Sequence, residues 1–112
     1  MPLEVHSENF EQEVVQADKP VLVDFWGPQC RPCLALMPHI ENLGKIYGEQ
    51  VKITKVDASK NRRLCIRLRV MSLPTFLFYK NGEEVSRRSG EVKVSDIENI
   101  LNGMLKNPGG KE

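Results

Sequence analysis

The chain has no long hydrophobic run: its longest apolar stretches are broken well short of the roughly 20 residues a membrane helix requires, so a spanning segment is excluded. It has no charge excess either, with 16 basic against 15 acidic residues, and a net charge of +1 gives no general pull toward nucleic acid or anionic lipid. The start, Met1-Pro2-Leu3-Glu4-Val5-His6, lacks the basic and apolar regions of a secretory signal, which points to the cytoplasm. Its two histidines, His6 and His39, have no ligand spacing, and there is no repeat, linker or low-complexity segment. What remains is 112 residues, 40% hydrophobic and 28% charged, enough for one domain over residues 1–106 with a disordered tail over 107–112.

Cysteine is scarce, three in all, but two of them form Cys30-Arg31-Pro32-Cys33 directly after the apolar run 21–26. At i and i+3 on a first helical turn, the two thiols lie on one side and can close a disulfide with little backbone movement. In a reducing compartment such a pair is redox-active or metal-binding rather than structural. The third, Cys65, lies between Leu64 and Leu68 and reads as a small buried hydrophobe, with a regulatory thiol as the alternative.

The elements follow from periodicity. Leu3 and Val5 alternate in a short strand, Ser7 is placed to cap a helix running to Gln16, and Val21–Trp26 is apolar enough to be a strand covered on both faces. Cys33, Leu36, Met37, Ile40, Leu43 and Tyr47 recur at helical spacing up to Gly48, with Pro38 expected to kink the helix. A strand over 51–56 precedes a short basic helix from Ser59 to Leu68. Thr75–Tyr79 and Glu84–Ser89 form a hairpin around Asn81-Gly82, two residues that tolerate the positive φ of a type I′ turn, and Gly90 ends the second strand. A last helix starts at the capping box Ser95-Asp96-Ile97-Glu98 and turns Ile97, Ile100, Leu101, Met104 and Leu105 inward. The order βαβαβαββα predicts an α/β fold, a central mixed sheet with helices on both faces.

On these residues the chain resembles the thioredoxin family over nearly its whole length. The resemblance is carried by Val21–Trp26, Cys30-x-Pro32-Cys33, Pro38, Lys55-Val56-Asp57, Val70–Thr75, Lys80-Asn81-Gly82-Glu83 and Gly90. It implies the thioredoxin fold and a protein-disulfide reductase with no bound cofactor beyond the Cys30–Cys33 disulfide. The implied partners are a thioredoxin reductase or similar enzyme and disulfide-containing client proteins, with no nucleic acid, membrane or metal, and the chain acting as a monomer. Cys30 is the expected nucleophile, since a helix N-terminus favours a thiolate, an effect for which thioredoxins are themselves a standing example. Cys33 is the resolving thiol. Asp24 shares a strand face with Leu22 and Trp26, and burial would raise its pKa toward the range of a proton acceptor for Cys33. The resemblance assigns it that role, with Lys55 tuning it, while a solvated strand lysine is the other reading of Lys55.

Leu73-Pro74 before a strand suits a cis bond at a tight turn. By resemblance Pro74 packs on the cysteine pair and the backbone of Leu73 pairs with an extended client, with Gly90 beside them. The departures sit at the thiols. The family usually reads W-C-G-P-C-K, and this chain has Gln29, Arg31 and Leu34 at the three variable places after an unusual Gly27-Pro28. Arg31 and Pro32 therefore tune the site, Arg31 toward a more oxidising couple, and Gln29 reads mainly as surface, with a polar contact to the partner as the alternative. Arg62, Arg63, Arg67 and Arg69, beside Lys60, read as a solvated face or as a contact for an acidic partner. Two other functions remain open on residues alone: a C-x-x-C pair shared between two chains around zinc or an iron–sulfur cluster, and a non-catalytic binding module using the groove at Pro74.

Overall fold

The computed structural model describes residues 2–106. Strands β1 (Leu3–Glu4), β2 (Val21–Trp26), β3 (Lys52–Asp57), β4 (Thr75–Lys80) and β5 (Glu83–Ser89) form one sheet in the order β1-β3-β2-β4-β5. β1, β2 and β3 run parallel, and β4 and β5 add antiparallel neighbours. The near-continuous apolar character of β2 follows from its central place. Val21, Val23 and Phe25 face one core with Val5, Phe10, Val14 and Leu64, while Leu22 faces the other with Ile40, Leu43, Phe76 and Phe78. Each fully buried Phe side chain contributes roughly 1.5–3 kcal/mol relative to exposure.

Helices α1 (Arg31–Tyr47) and α3 (Val94–Lys106) cover the second face. α1 buries Cys33, Ile40, Leu43 and Tyr47 and continues through Pro38, whose missing N–H leaves the carbonyl of Leu34 without its intrahelical donor. The tip of the hairpin has φ of 55° at Asn81 and 82° at Gly82, as its sequence predicts. α3 begins two residues earlier than a cap at Ser95 implied: Asp96, not Glu98, reaches back to accept from the N–H of Lys93 at 3.0 Å. The tail expected over 107–112 lies outside the described residues.

Two helix starts differ from expectation for one reason, the buried side chain of Asn61. Its Oδ1 accepts from the N–H of Ser7 at 3.0 Å and from the Ser7 hydroxyl at 3.4 Å, so that hydroxyl is engaged with Asn61 rather than with a helix start; the helical segment there is a π-helical turn over Glu11–Val15, with Phe10 and Val14 buried. Its Nδ2 donates to the carbonyl of Asp57 at 2.9 Å, which separates a 3₁₀ turn over Ala58–Lys60 from helix α2 (Arg62–Leu68). The cap at this point is Asp57, whose carboxylate accepts from the N–H of Ser59 at 3.0 Å. The contact to Ser7 spans 54 positions and so has no local sequence signal, whereas the one to Asp57 lies within four residues.

β5 is an edge strand, largely exposed and carrying Glu83, Glu84, Arg87 and Arg88. Arg87 is not merely solvated: its guanidinium donates to the carbonyls of Leu68 and Arg69 at 2.8 and 2.9 Å, satisfying the end of α2, while pairing with Glu84.

Candidate active site

Where β2 ends, the chain turns through Gly27-Pro28-Gln29, with the Cys30 N–H donating to the Gly27 carbonyl at 3.1 Å. Cys30 is the N-cap of α1, in extended backbone conformation, and its Sγ accepts from the N–H of Cys33 at 3.2 Å. Pro32 fits the first turn, where an N–H would have no intrahelical acceptor. The two cysteines are joined by a disulfide with Cα atoms 5.3 Å apart. Their surroundings are unequal. Cys33 is 1% exposed, whereas Cys30 is partly open and lines a groove. Arg31, Gln29 and Leu34 are all exposed around the outer sulfur, and Arg31 has no ion pair or hydrogen bond among the described residues.

Asp24 lies on the same sheet face as Leu22, the face covered by α1. It is 1% exposed and neither carboxyl oxygen has a hydrogen-bond partner. Burial pushes its pKa up to about 7, partly offset by the positive charge of Lys55, its neighbour in the β2–β3 register. Lys55 is not a freely solvated lysine: its Nζ sits 5.6 Å from the ring centre of Trp26 and 3.9 Å from Glu4 Oε1. Trp26 completes this side with a buried Nε1 that also has no partner. A carboxyl in this state gains or loses its proton near neutrality.

The Leu73–Pro74 peptide is cis, as expected, and Pro74 is buried. Gly90, at φ 81°, donates its N–H to the Pro74 carbonyl at 3.1 Å and holds the turn against the end of β5. Leu73 divides two grooves. One, of about 570 Å³, runs past Gly27, Gln29, Cys30, Ser59 and Arg62; the other, of about 640 Å³, runs past Pro32, Leu36, Pro74, Gly90 and Lys93. Gly27 is what lets the first groove close onto Leu73, since a Cβ there would stand 3.2 Å from Leu73 Cδ1.

Sequence reasoning missed the contribution of Ala58, Ser59 and Arg62 to the groove beside Cys30. The signal was topological. β2 and β3 are parallel and in register to Trp26 and Asp57, so the segments that follow both strands emerge together at one sheet edge. Cys65, by contrast, is the buried hydrophobe its neighbours imply, with burial pushing its thiol pKa up.

The family model for thioredoxin matches residues 1–103. The chain belongs to the thioredoxin family. It is 48% identical over 88 residues to a thioredoxin of Acetoanaerobium sticklandii, covering 79% of this chain and 84% of that protein. A thioredoxin of Rickettsia bellii is 38% identical over 105 residues, 93% of this chain and all of the relative, and one of Porphyra purpurea is 35% identical over 99 residues, 88% and 92%. The mixed five-stranded sheet is the thioredoxin fold, and the Cys30–Cys33 disulfide is its redox centre. This thioredoxin-family chain is a thiol–disulfide oxidoreductase. Among the described residues no three His, Cys, Asp or Glu side chains gather as a metal site would need, and no helix is long and apolar enough to cross a membrane.

Proposed function

We propose that the chain is a protein-disulfide reductase in which Cys30 attacks and Cys33 resolves. The observation that carries this order is the unequal exposure of the two sulfurs, Cys33 at 1% and Cys30 open to the groove. The Cys30 thiolate attacks a client disulfide, forming one S–S bond and breaking another, and the displaced client thiolate takes up a proton. The Cys33 thiol then gives its proton to the Asp24 carboxylate and its sulfur attacks Cys30. The mixed disulfide breaks, and the second client thiolate leaves and is protonated. Two electrons and two protons have passed to the client, and the Cys30–Cys33 disulfide is left to be recharged.

Leu73, Pro74 and Gly90 hold the client in this reading. The client adds as an extended strand to the Leu73 backbone, with Gln29 in contact from the other side. Lys55 tunes Asp24, limiting how far burial raises it, and Pro32 fixes the first turn of α1. Recharge comes from a thioredoxin reductase or a similar disulfide reductase. The clients are disulfide-containing proteins of the cytoplasm, a compartment consistent with an unpaired Cys65. The chain acts as a monomer, both faces of its sheet being covered by its own helices.

The assignment of the thiols is tested by limited alkylation. Reduced protein treated with substoichiometric iodoacetamide should be modified at Cys30, with Cys33 and Cys65 protected, as read by peptide mass mapping; modification of Cys33 first would reverse the roles. Arg31 adds an unpaired cation in the first turn, which stabilises a Cys30 thiolate and hence the reduced state. Arg31→Gly is therefore expected to lower the reduction potential, by at most about 30 mV given its exposure. A glutathione titration that shows no shift, or a shift upward, would remove Arg31 from the tuning of the couple.

A further inference from the structure

The groove beside Cys30 carries one feature that disulfide exchange does not use. Its walls are neutral, formed by Gly27, Gln29, Ala58, Ser59 and Leu73, with a single charged residue, Arg62, and no acidic residue at all. Arg62 is exposed at the first position of α2 and has no hydrogen bond or ion pair among the described residues. Other cations of the basic segment point elsewhere: Arg63 and Arg67 line neither groove at Leu73. The groove on the far side of Leu73 is electrically mixed, with Glu91 and Lys93 both on its wall. Past Arg62 the surface continues into a hollow of about 240 Å³ edged by Ile66 and Met71, which are 74% and 91% exposed.

We infer that Arg62 is a specificity-determining residue that selects clients with a carboxylate side chain beside the attacked cysteine. The occupant is an extended acidic segment of a disulfide-containing protein, lying from Cys30 across Arg62 with its next apolar residue on Ile66 and Met71. A guanidinium offers paired donors that match a carboxylate, and one with no internal partner gives up no existing contact when a client arrives. Continuity of the groove with Cys30 makes the contact simultaneous with sulfur attack, so it acts on the rate of reduction. The inference rests on the reading of Cys30 as the attacking thiol.

The test uses the full-length protein, reduced beforehand, and three cyclic peptides, each closed by one disulfide and differing only in Glu, Gln or Lys beside the cysteines. Single-turnover rates are read by acid quench and chromatography. The Glu peptide should react about fivefold faster than the Gln peptide, the scale of an exposed ion pair, with the Lys peptide slowest and the ranking compressed at high salt. Arg62→Ala should remove the ranking, Arg62→Lys should keep part of it, and Arg63→Ala should leave all three rates as they are. Equal rates with the unaltered protein, or an unchanged ranking in Arg62→Ala, would overturn the inference while leaving exchange intact. If no peptide were reduced, the reading of Cys30 would fall and the inference with it.

Discussion

Asp24→Asn is expected to yield a protein that is harder to unfold at pH 8 and slower to release its client. The native carboxyl titrates at about 7 against 3.8 for a solvent-exposed aspartate, because burial disfavours the charge more than Lys55 favours it. Below pH 3.8 both folded and unfolded chains hold the proton, and the residue makes no difference to stability. Between 3.8 and 7 only the folded chain holds it, so stability falls by about 1.4 kcal/mol per pH unit, and above 7 the loss is complete at roughly 4 kcal/mol. Asn cannot ionise and escapes that loss. Its advantage in urea unfolding of the oxidised protein should approach roughly 4 kcal/mol at pH 8 and vanish near pH 4. An advantage of equal size at both pH values would show that packing rather than charge is responsible. In the proposed mechanism the same substitution removes the proton acceptor for Cys33, and resolution of the mixed disulfide should slow on the order of 100-fold at neutral pH.

Cys33→Ser should convert a turnover protein into one that stays attached to its client. Cys30 still attacks, but no second sulfur waits within the chain, and release then depends on an external thiol. An intramolecular thiol held one helical turn away has a large effective concentration, so steady-state reduction should drop by at least about 1,000-fold. The trapped species should run as a covalent adduct on non-reducing gels, disappear with dithiothreitol, and be absent from a Cys30→Ser, Cys33→Ser double variant. Rapid turnover by Cys33→Ser would mean that Cys65 or a client thiol resolves the intermediate. Adducts purified from cell extract would name both the clients and the reductase.

Most of the fold was legible because its signals are local. Val21–Trp26 announces a strand buried on both faces, Asn81-Gly82 a hairpin tip, and the spacing from Cys33 to Tyr47 one long helix. What was not legible depends on residues far apart in sequence. Asn61 reaches Ser7 across 54 positions and ties up both its N–H and its hydroxyl, which removes the cap that Ser7 was expected to provide. Around the groove, the pairing of the two thiols, the burial of Asp24 and the cis turn at Pro74 were legible from residue type and position. Arg62 was not, because a helical arginine among other arginines looks like solvated surface until the parallel strands set its helix beside Cys30.

The charged edge strand β5 has a consequence for a protein whose work is to receive other extended chains. A sheet edge with free backbone groups invites any exposed strand to pair with it, and unfolded clients present such strands. Glu83, Glu84, Arg87 and Arg88 put both signs of charge along that edge, and Arg87 is drawn back over the end of α2. A client that laid itself along β5 would strand its own apolar residues against these charges. A charged edge of this kind deters unproductive strand pairing, and in the proposed mechanism it leaves the short backbone segment at Leu73 as the place where a client pairs.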